Sequence, residues 1–190
     1  MSTKNIVIFA SGQGTNAENI INYFKTSGTA NVVLVISNSP DAAVIQRATK
    51  AGIQSLVINR KDFFESDKIV EHLKSINTDL IVLAGFLWMI PVNLISAFPN
   101  KIVNIHPALL PEFGGKGMYG MKVHEAVAAA GASKSGITIH FVNEHYDEGE
   151  IIAQFTCDVL KTDTPALLAK KIHELEQQFF PKVIEELILS

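Results

Sequence analysis

A train of short, β-branched apolar runs, each separated from the next by a segment of helical spacing, constrains this chain more than any other feature. The runs are Ile6–Phe9, Val32–Ile36, Leu56–Ile58, Leu80–Ala84 and Ile102–Ile105. Most lack polar alternation, which is the pattern of strands covered on both faces. Between them, Ala17–Phe24 sets Ala17, Ile20, Ile21 and Phe24 on one stripe, and Ala42–Ala51 runs to Gly52, a natural C-terminal stop. Lys68–Ile76 repeats the stripe with Ile69, Val70, Leu73 and Ile76, and Val92–Phe98 follows Pro91. Strand and helix in this alternation predict right-handed crossovers and an α/β fold, a doubly wound, mostly parallel sheet flanked by helices.

After Asn104 the pattern changes. Pro107–Met121 holds four glycines and reads as a functional loop rather than a plain connection. A helix over Val123–Ala130, strands at Ile137–Val142 and Ile151–Val159, and a long helix from Pro165 to Leu189 complete an antiparallel C-terminal extension. Thr164 is the expected N-cap of that last helix, and Pro181 is expected to kink or interrupt it. The whole is read as one domain, 1–190, with a nucleotide-type half (1–100) and a second half (101–190) that completes a site.

Composition removes several function classes. Sixteen basic against nineteen acidic residues leave a net charge of -3, with no basic excess for holding nucleic acid by bulk electrostatics. A single cysteine, Cys157, excludes an internal disulfide framework or a thiolate zinc site. The apolar runs are far shorter than the roughly 20 residues of a membrane span. Met1-Ser2-Thr3-Lys4 leads directly into the first strand, so no leader and a cytoplasmic location are expected.

Ser11-Gly12-Gln13-Gly14-Thr15-Asn16 lies between the first strand and the first helix, at a carboxyl end of the sheet where ligands collect. Two glycines permit a tight turn, and the first-turn N–H groups of the helix then face an anion, with Thr15 and Asn16 adding side-chain donors. Gly12, Gly14 and Ala17 also satisfy the dinucleotide fingerprint G-x-G-x-x-A. The acid expected near the end of the second strand is represented only by Asp41, after Ser37-Asn38-Ser39. A turn that merely links strand to helix is the plain alternative.

In Ile102-Val103-Asn104-Ile105-His106-Pro107, alternation places Ile102, Asn104 and His106 on one strand face and Val103 and Ile105 on the other. Pro107 holds His106 extended. A carboxamide and an imidazole at a strand's carboxyl end are suited to activating a carbonyl. Asp147, in the polar turn after Ile137–Val142, is the candidate carboxylate partner, and His140 shares a strand face with Thr138. Each residue alone also reads as an ordinary satisfied or solvated group. Together His106, His140 and Asp147 have the composition of a two-histidine, one-carboxylate metal site; Asn104 beside His106 favours carbonyl polarisation, and no metal is expected. His72, His124, His145 and His173 read as structural or solvated. Trp88-Met89 reads either as plain core or, following a strand end, as part of an apolar slot for a flat heteroaromatic ring.

Ser-Gly-x-Gly-Thr-Asn at 11–16, Leu-Ala-Gly-Phe at 83–86, Asn-Ile-His-Pro-Ala-Leu-Leu-Pro at 104–111, and His-Phe-Val at 140–142 leading to Asp147-x-Gly149 occur in that order. With them the chain resembles the folate-dependent formyltransferases over essentially its whole length, and within them the branch that formylates glycinamide ribonucleotide in purine biosynthesis. The resemblance implies a Rossmann-like fold and 10-formyltetrahydrofolate as co-substrate without a metal. It implies small-molecule partners only, with no nucleic acid or membrane, in a monomer or homodimer. It makes Asn104, His106 and Asp147 the catalytic trio, with protonated His106 and Asn104 holding the oxyanion and Asp147 supporting the charged ring. The ribonucleotide falls to Gly14, Thr15, Asn16 and Glu176, and the folate to Leu87, Trp88, Met89, Ile90, Asn104 and His140, making 101–190 the catalytic and folate-side half. The loop Gly114–Met121 is longer than in many relatives, and its Gly114–Gly120 part is expected to act as a lid over the folate. Two departures concern the folate tail: Trp88 stands where well-known members carry arginine, and Asp62–Ser66 has no basic residue. A formyltetrahydrofolate hydrolase and a dinucleotide-binding regulatory module are the alternative functions.

Overall fold

The computed structural model describes residues 3–190; Met1 and Ser2, part of the segment on which the expectation of no leader rested, lie outside the described residues. The elements in order are β1 (Lys4–Phe9), α1 (Thr15–Ser27), β2 (Ala30–Ser37), α2 (Ala43–Ala51), β3 (Gln54–Val57), α3 (Arg60–Phe64) and α4 (Lys68–Ser75). They continue with β4 (Leu80–Leu83), α5 (Val92–Ala97), β5 (Ile102–His106), α6 (Met121–Ala129), β6 (Lys134–Phe141), β7 (Ile151–Asp158) and α7 (Pro165–Leu189). The seven strands form one sheet in the order β3-β2-β1-β4-β5-β6-β7. The first five run parallel, and β6 and β7 add antiparallel. The doubly wound fold and its antiparallel extension are therefore as the sequence indicated.

Strand alternation divides the core between the two faces. Ile6, Ile8, Val103, Ile105, Ile137 and Ile139 pack on one side with α1, α6 and α7 residues such as Ile20, Val123, Leu168 and Phe180. Val7, Phe9, Ile81, Leu83 and Ile102 pack on the other with Phe63, Leu73 and Leu94. The strand order reverses between β1 and β4. Loops leaving the carboxyl ends of those two strands diverge there, which opens the crevice that α/β folds use for ligands. Ser11 bridges the two loops: its N–H donates to the Gly85 carbonyl at 3.0 Å, and its Oγ accepts from the Leu87 N–H at 2.9 Å.

One element was not anticipated, and one expectation is corrected. Helix α3 is absent from the periodic reading because five residues are too few to show a stripe; Asn59 caps it by accepting from the Asp62 N–H at 2.9 Å. Pro181 does not interrupt α7, which is continuous from Pro165 to Leu189. A proline lacks the N–H that would bond the carbonyl four residues earlier. That carbonyl, on Gln177, instead accepts from the Asn19 side chain of α1 at 2.8 Å. A tertiary donor thus replaces the missing backbone bond. Among the described residues no helix is long and apolar enough to cross a membrane.

Candidate active site

The glycine turn is built by packing as much as by any ligand. Gly14 is the N-cap of α1 with φ 72°, and a Cβ there would lie 2.5 Å from the Val44 Cβ of α2. Glycine is thus demanded by the left-handed backbone, as a tight turn requires, and also by the closeness of Val44. Arg47 of α2 donates to the Gln13 carbonyl at 2.7 Å and pairs with Glu18, fixing the turn from behind. The first-turn N–H groups of Thr15 and Asn16 have no helical acceptor and face outwards from the helix end. The Asn16 side chain is less free than expected: its Nδ2 donates to Glu176 at 2.8 Å, and its Oδ1 accepts from Gln177 Nε2 at 2.8 Å. It ties α1 to α7 and has one amide hydrogen to spare.

Asn104 and His106 lie on the same face of β5, as alternation requires, and Asn104 is directly opposite His140 of β6. The turn after His106 is pinned by Thr138. Its hydroxyl donates to the Ala108 carbonyl at 2.7 Å and accepts from the Leu110 N–H at 3.0 Å and from Gln154 Nε2 at 2.9 Å. His106 is 3% exposed. Its Nε2 is 2.8 Å from the Phe113 carbonyl. A carbonyl only accepts, so Nε2 carries the proton and a neutral ring leaves Nδ1 bare. Nδ1 is 3.5 Å from Asp147 Oδ2.

Burial holds the His106 pKa below the usual imidazole value, against the opposing pull of the Asp147 charge. A pKa below the usual value leaves the imidazole mostly neutral at pH 7 in the free protein. Asp147 behaves differently. Burial raises its pKa, but the two imidazoles beside it, His140 and His106, and the Gly115 N–H, which donates to Oδ2 at 2.9 Å, outweigh this and hold it below the usual carboxylate value. Asp147 is ionised beside a neutral imidazole.

These groups share one cavity of about 590 Å³, whose lining includes Gly12–Asn16, Glu176 and Leu87–Ile90. Asn104, His106, His140, Asp147 and the loop residues Gly115–Gly120 line it as well. Every residue singled out in the sequence for catalysis, ribonucleotide or folate is in this lining. Leu87 and Met89 are exposed apolar side chains there. Asp41, the acid of the dinucleotide reading, is outside the lining. No group of three or more His, Cys, Asp or Glu among the described residues has the geometry to hold a metal ion.

A model of the formyl transferase family matches residues 4–184. The chain belongs to the formyl transferase family. It is 43% identical over 188 residues to the chloroplastic phosphoribosylglycinamide formyltransferase of Arabidopsis thaliana, an alignment covering 95% of this chain and 64% of that protein. To the phosphoribosylglycinamide formyltransferase of Bacillus subtilis (strain 168) it is 37% identical over 191 residues, covering 97% of this chain and 95% of that one. A crystal structure of the enzyme of that name from Anaplasma phagocytophilum superposes with a TM-score of 0.91 at 32% identity, covering 100% of this chain and 88% of the other. The chain spans only 61–64% of the length of its two plant relatives.

Several site groups of this formyl transferase were not singled out in the sequence. The Phe113 carbonyl and Gly115 N–H are backbone atoms, without a side-chain signal. Gly114 lets them approach, since a Cβ there would lie 2.5 Å from Leu110 and 3.3 Å from Asp147. The loop expected to be only a lid thus also orients His106 and Asp147. His124, read as structural or solvated, is 6% exposed and lines the cavity, with Nδ1 buried and unpartnered. His145 is also in the lining, and His173 lies 3.1 Å from Glu176. At the outer rim Trp88 packs against Phe63, Phe64 and Phe86, and the Arg60 guanidinium lies 5.3 Å from the Trp88 ring centre and 5.0 Å from that of Phe64. A cation is therefore present at this rim, although Asp62–Ser66 contains none.

Proposed function

We propose that this chain, acting as a single formyltransferase domain, transfers the formyl group of 10-formyltetrahydrofolate to the amine of glycinamide ribonucleotide. One observation carries the reading. Asn104, neutral His106 and ionised Asp147 meet in a cavity that the glycine turn at 12–16 and the segment Leu87–Ile90 also line. The relatives named above bear the corresponding enzyme name, which supports it.

The ribonucleotide phosphate is assigned to the N–H groups of Thr15 and Asn16 at the start of α1, and Glu176 faces the rest of that substrate. The pterin occupies the slot at Leu87–Ile90, and Arg60 on Trp88 supplies the cation for the tail carboxylates. In the reaction the amine attacks the formyl carbon, and negative charge develops on the formyl oxygen. The spare amide hydrogen of Asn104 donates to that oxygen. His106 Nδ1 takes one proton from the attacking nitrogen and returns it to the folate nitrogen as the old carbon–nitrogen bond breaks. The ionised Asp147 stabilises the imidazolium formed between these steps. Formyl group and proton thus both pass from one substrate to the other's place, with no water consumed.

The test is to incubate the purified protein with the formyl folate, with and without the ribonucleotide, and to measure formylated ribonucleotide and formate separately. Formylated ribonucleotide equal to the folate released, with little formate, is expected. Formate release that ignores the ribonucleotide would make the protein a hydrolase instead.

A further inference from the structure

We infer that His140 is a positioning residue that decides which atom of the Asn104 carboxamide faces the reacting carbonyl. The inference rests on the formyl-transfer reading and reassigns His140, which the sequence grouped with the folate contacts.

His140 is 2% exposed, and both its ring nitrogens have partners within the chain. Nδ1 is 2.8 Å from the carbonyl of Phe141. That carbonyl is firmly placed. The Phe141 N–H donates to the Glu150 carbonyl at 2.9 Å, and Gly149 packs so closely that a Cβ would overlap the Phe141 oxygen. Because a carbonyl has no proton to give, Nδ1 is the protonated nitrogen. In the neutral ring Nε2 then presents a lone pair, and Asn104 Nδ2 is 3.1 Å from it. The remaining polar neighbour of Nε2 is Asp147 Oδ1 at 3.7 Å.

The two ends of a carboxamide have nearly the same shape and opposite hydrogen-bonding character. With Nδ2 towards His140, one amide hydrogen is used there and the other remains for the developing oxyanion. A flipped amide would set two lone pairs against each other at His140 and offer the oxyanion a third. The cross-strand pairing of Asn104 with His140 therefore sets the sign of the charge presented to the substrate. His140 touches no reacting atom in this account and works only through Asn104.

Substitution of His140 should lower kcat and leave both KM values nearly unchanged. The expected loss for His140→Phe is roughly 10–100-fold, less than the ~10²–10³ for removing an oxyanion donor outright. His140→Gln restores an acceptor near the Nε2 position and should recover much of the activity; His140→Asn, too short to do so, should not. The deciding experiment is a double-mutant cycle with Asn104→Ala: in that background His140→Phe should cost no further activity. Multiplicative losses, or a raised KM for formyl folate at unchanged kcat, would overturn the inference. If His140→Phe does not fold, the Gln and Asn variants carry the same comparison, and equal kcat in those two would also overturn it. A wild-type protein without formyl transfer in this assay defeats the functional reading instead.

Discussion

Replacing Asp147 with asparagine removes a charge and almost nothing else. The backbone there is left-handed, with φ 56°, a conformation asparagine tolerates better than most residues. The Asn oxygen can still accept from the Gly115 N–H. What disappears is a negative charge 3.5 Å from His106 Nδ1. At an effective dielectric of about 20, unit charges at that distance attract by about 4–5 kcal/mol. The Asp147 side chain is 13% exposed, so solvent screens part of this, and about 3–4 kcal/mol should be lost from the imidazolium-bearing state, roughly 10²–10³ in kcat. The ground state loses much less, about 1 kcal/mol, because His106 is neutral in the free protein. Steady-state formyl transfer and a thermal melt on the same preparation separate the two effects. A folded Asp147→Asn protein with kcat within tenfold of wild type would show that no imidazolium forms beside this carboxylate.

Other consequences concern stability. His124 has an unpartnered buried Nδ1, so His124→Leu should raise stability by about 1 kcal/mol in a denaturant melt; a loss would mean that the ring is satisfied. Asn19→Ala should cost about 1–2 kcal/mol by leaving the Gln177 carbonyl unbonded. That cost should shrink when Pro181→Ala supplies a backbone N–H, and equal costs in both backgrounds would contradict the bridging role. His106 and His124 are both held by burial below the ordinary histidine value of 6.5. The unfolded chain therefore takes up protons first as pH falls, and stability should decline from about pH 6.5 downwards. Asp147 and Asp79, held below the usual carboxylate value, extend the decline at lower pH. His173, raised by its Glu176 contact, acts in the opposite sense but is more than a third exposed and is screened. Melts between pH 7.5 and 5 that show constant or rising stability would contradict this.

The sheet was legible because buried parallel strands are written as uninterrupted apolar runs. The strands at Lys4, Ala30 and Lys134 begin earlier than those runs, since ladder bonding continues into polar residues. Asn104 and His106 were legible for the opposite reason, as polar groups on a strand otherwise written in apolar residues, whereas Asp147, in a polar turn, stood out only through the motif it shares with the family. The remainder depended on tertiary partners. Nothing near Pro181 in sequence announces Asn19, and the inward face of His124 follows only from how α6 sits on α7. The commitment of Asn16 to α7, and of Gly14 to Val44, likewise appear only once the helices pack. The protonated His106 followed from the family resemblance; the near-complete burial that holds the pKa of the ring below its usual value is visible only in the fold.

The protonation of His106 is the hinge of the mechanism, and ¹⁵N NMR of the imidazole reads it directly. The predicted spectrum at pH 7 is that of a neutral ring with the proton on Nε2, titrating below 6.5 and shifting when ribonucleotide is added. A ring already charged at pH 7, or one protonated on Nδ1 alone, would contradict the account.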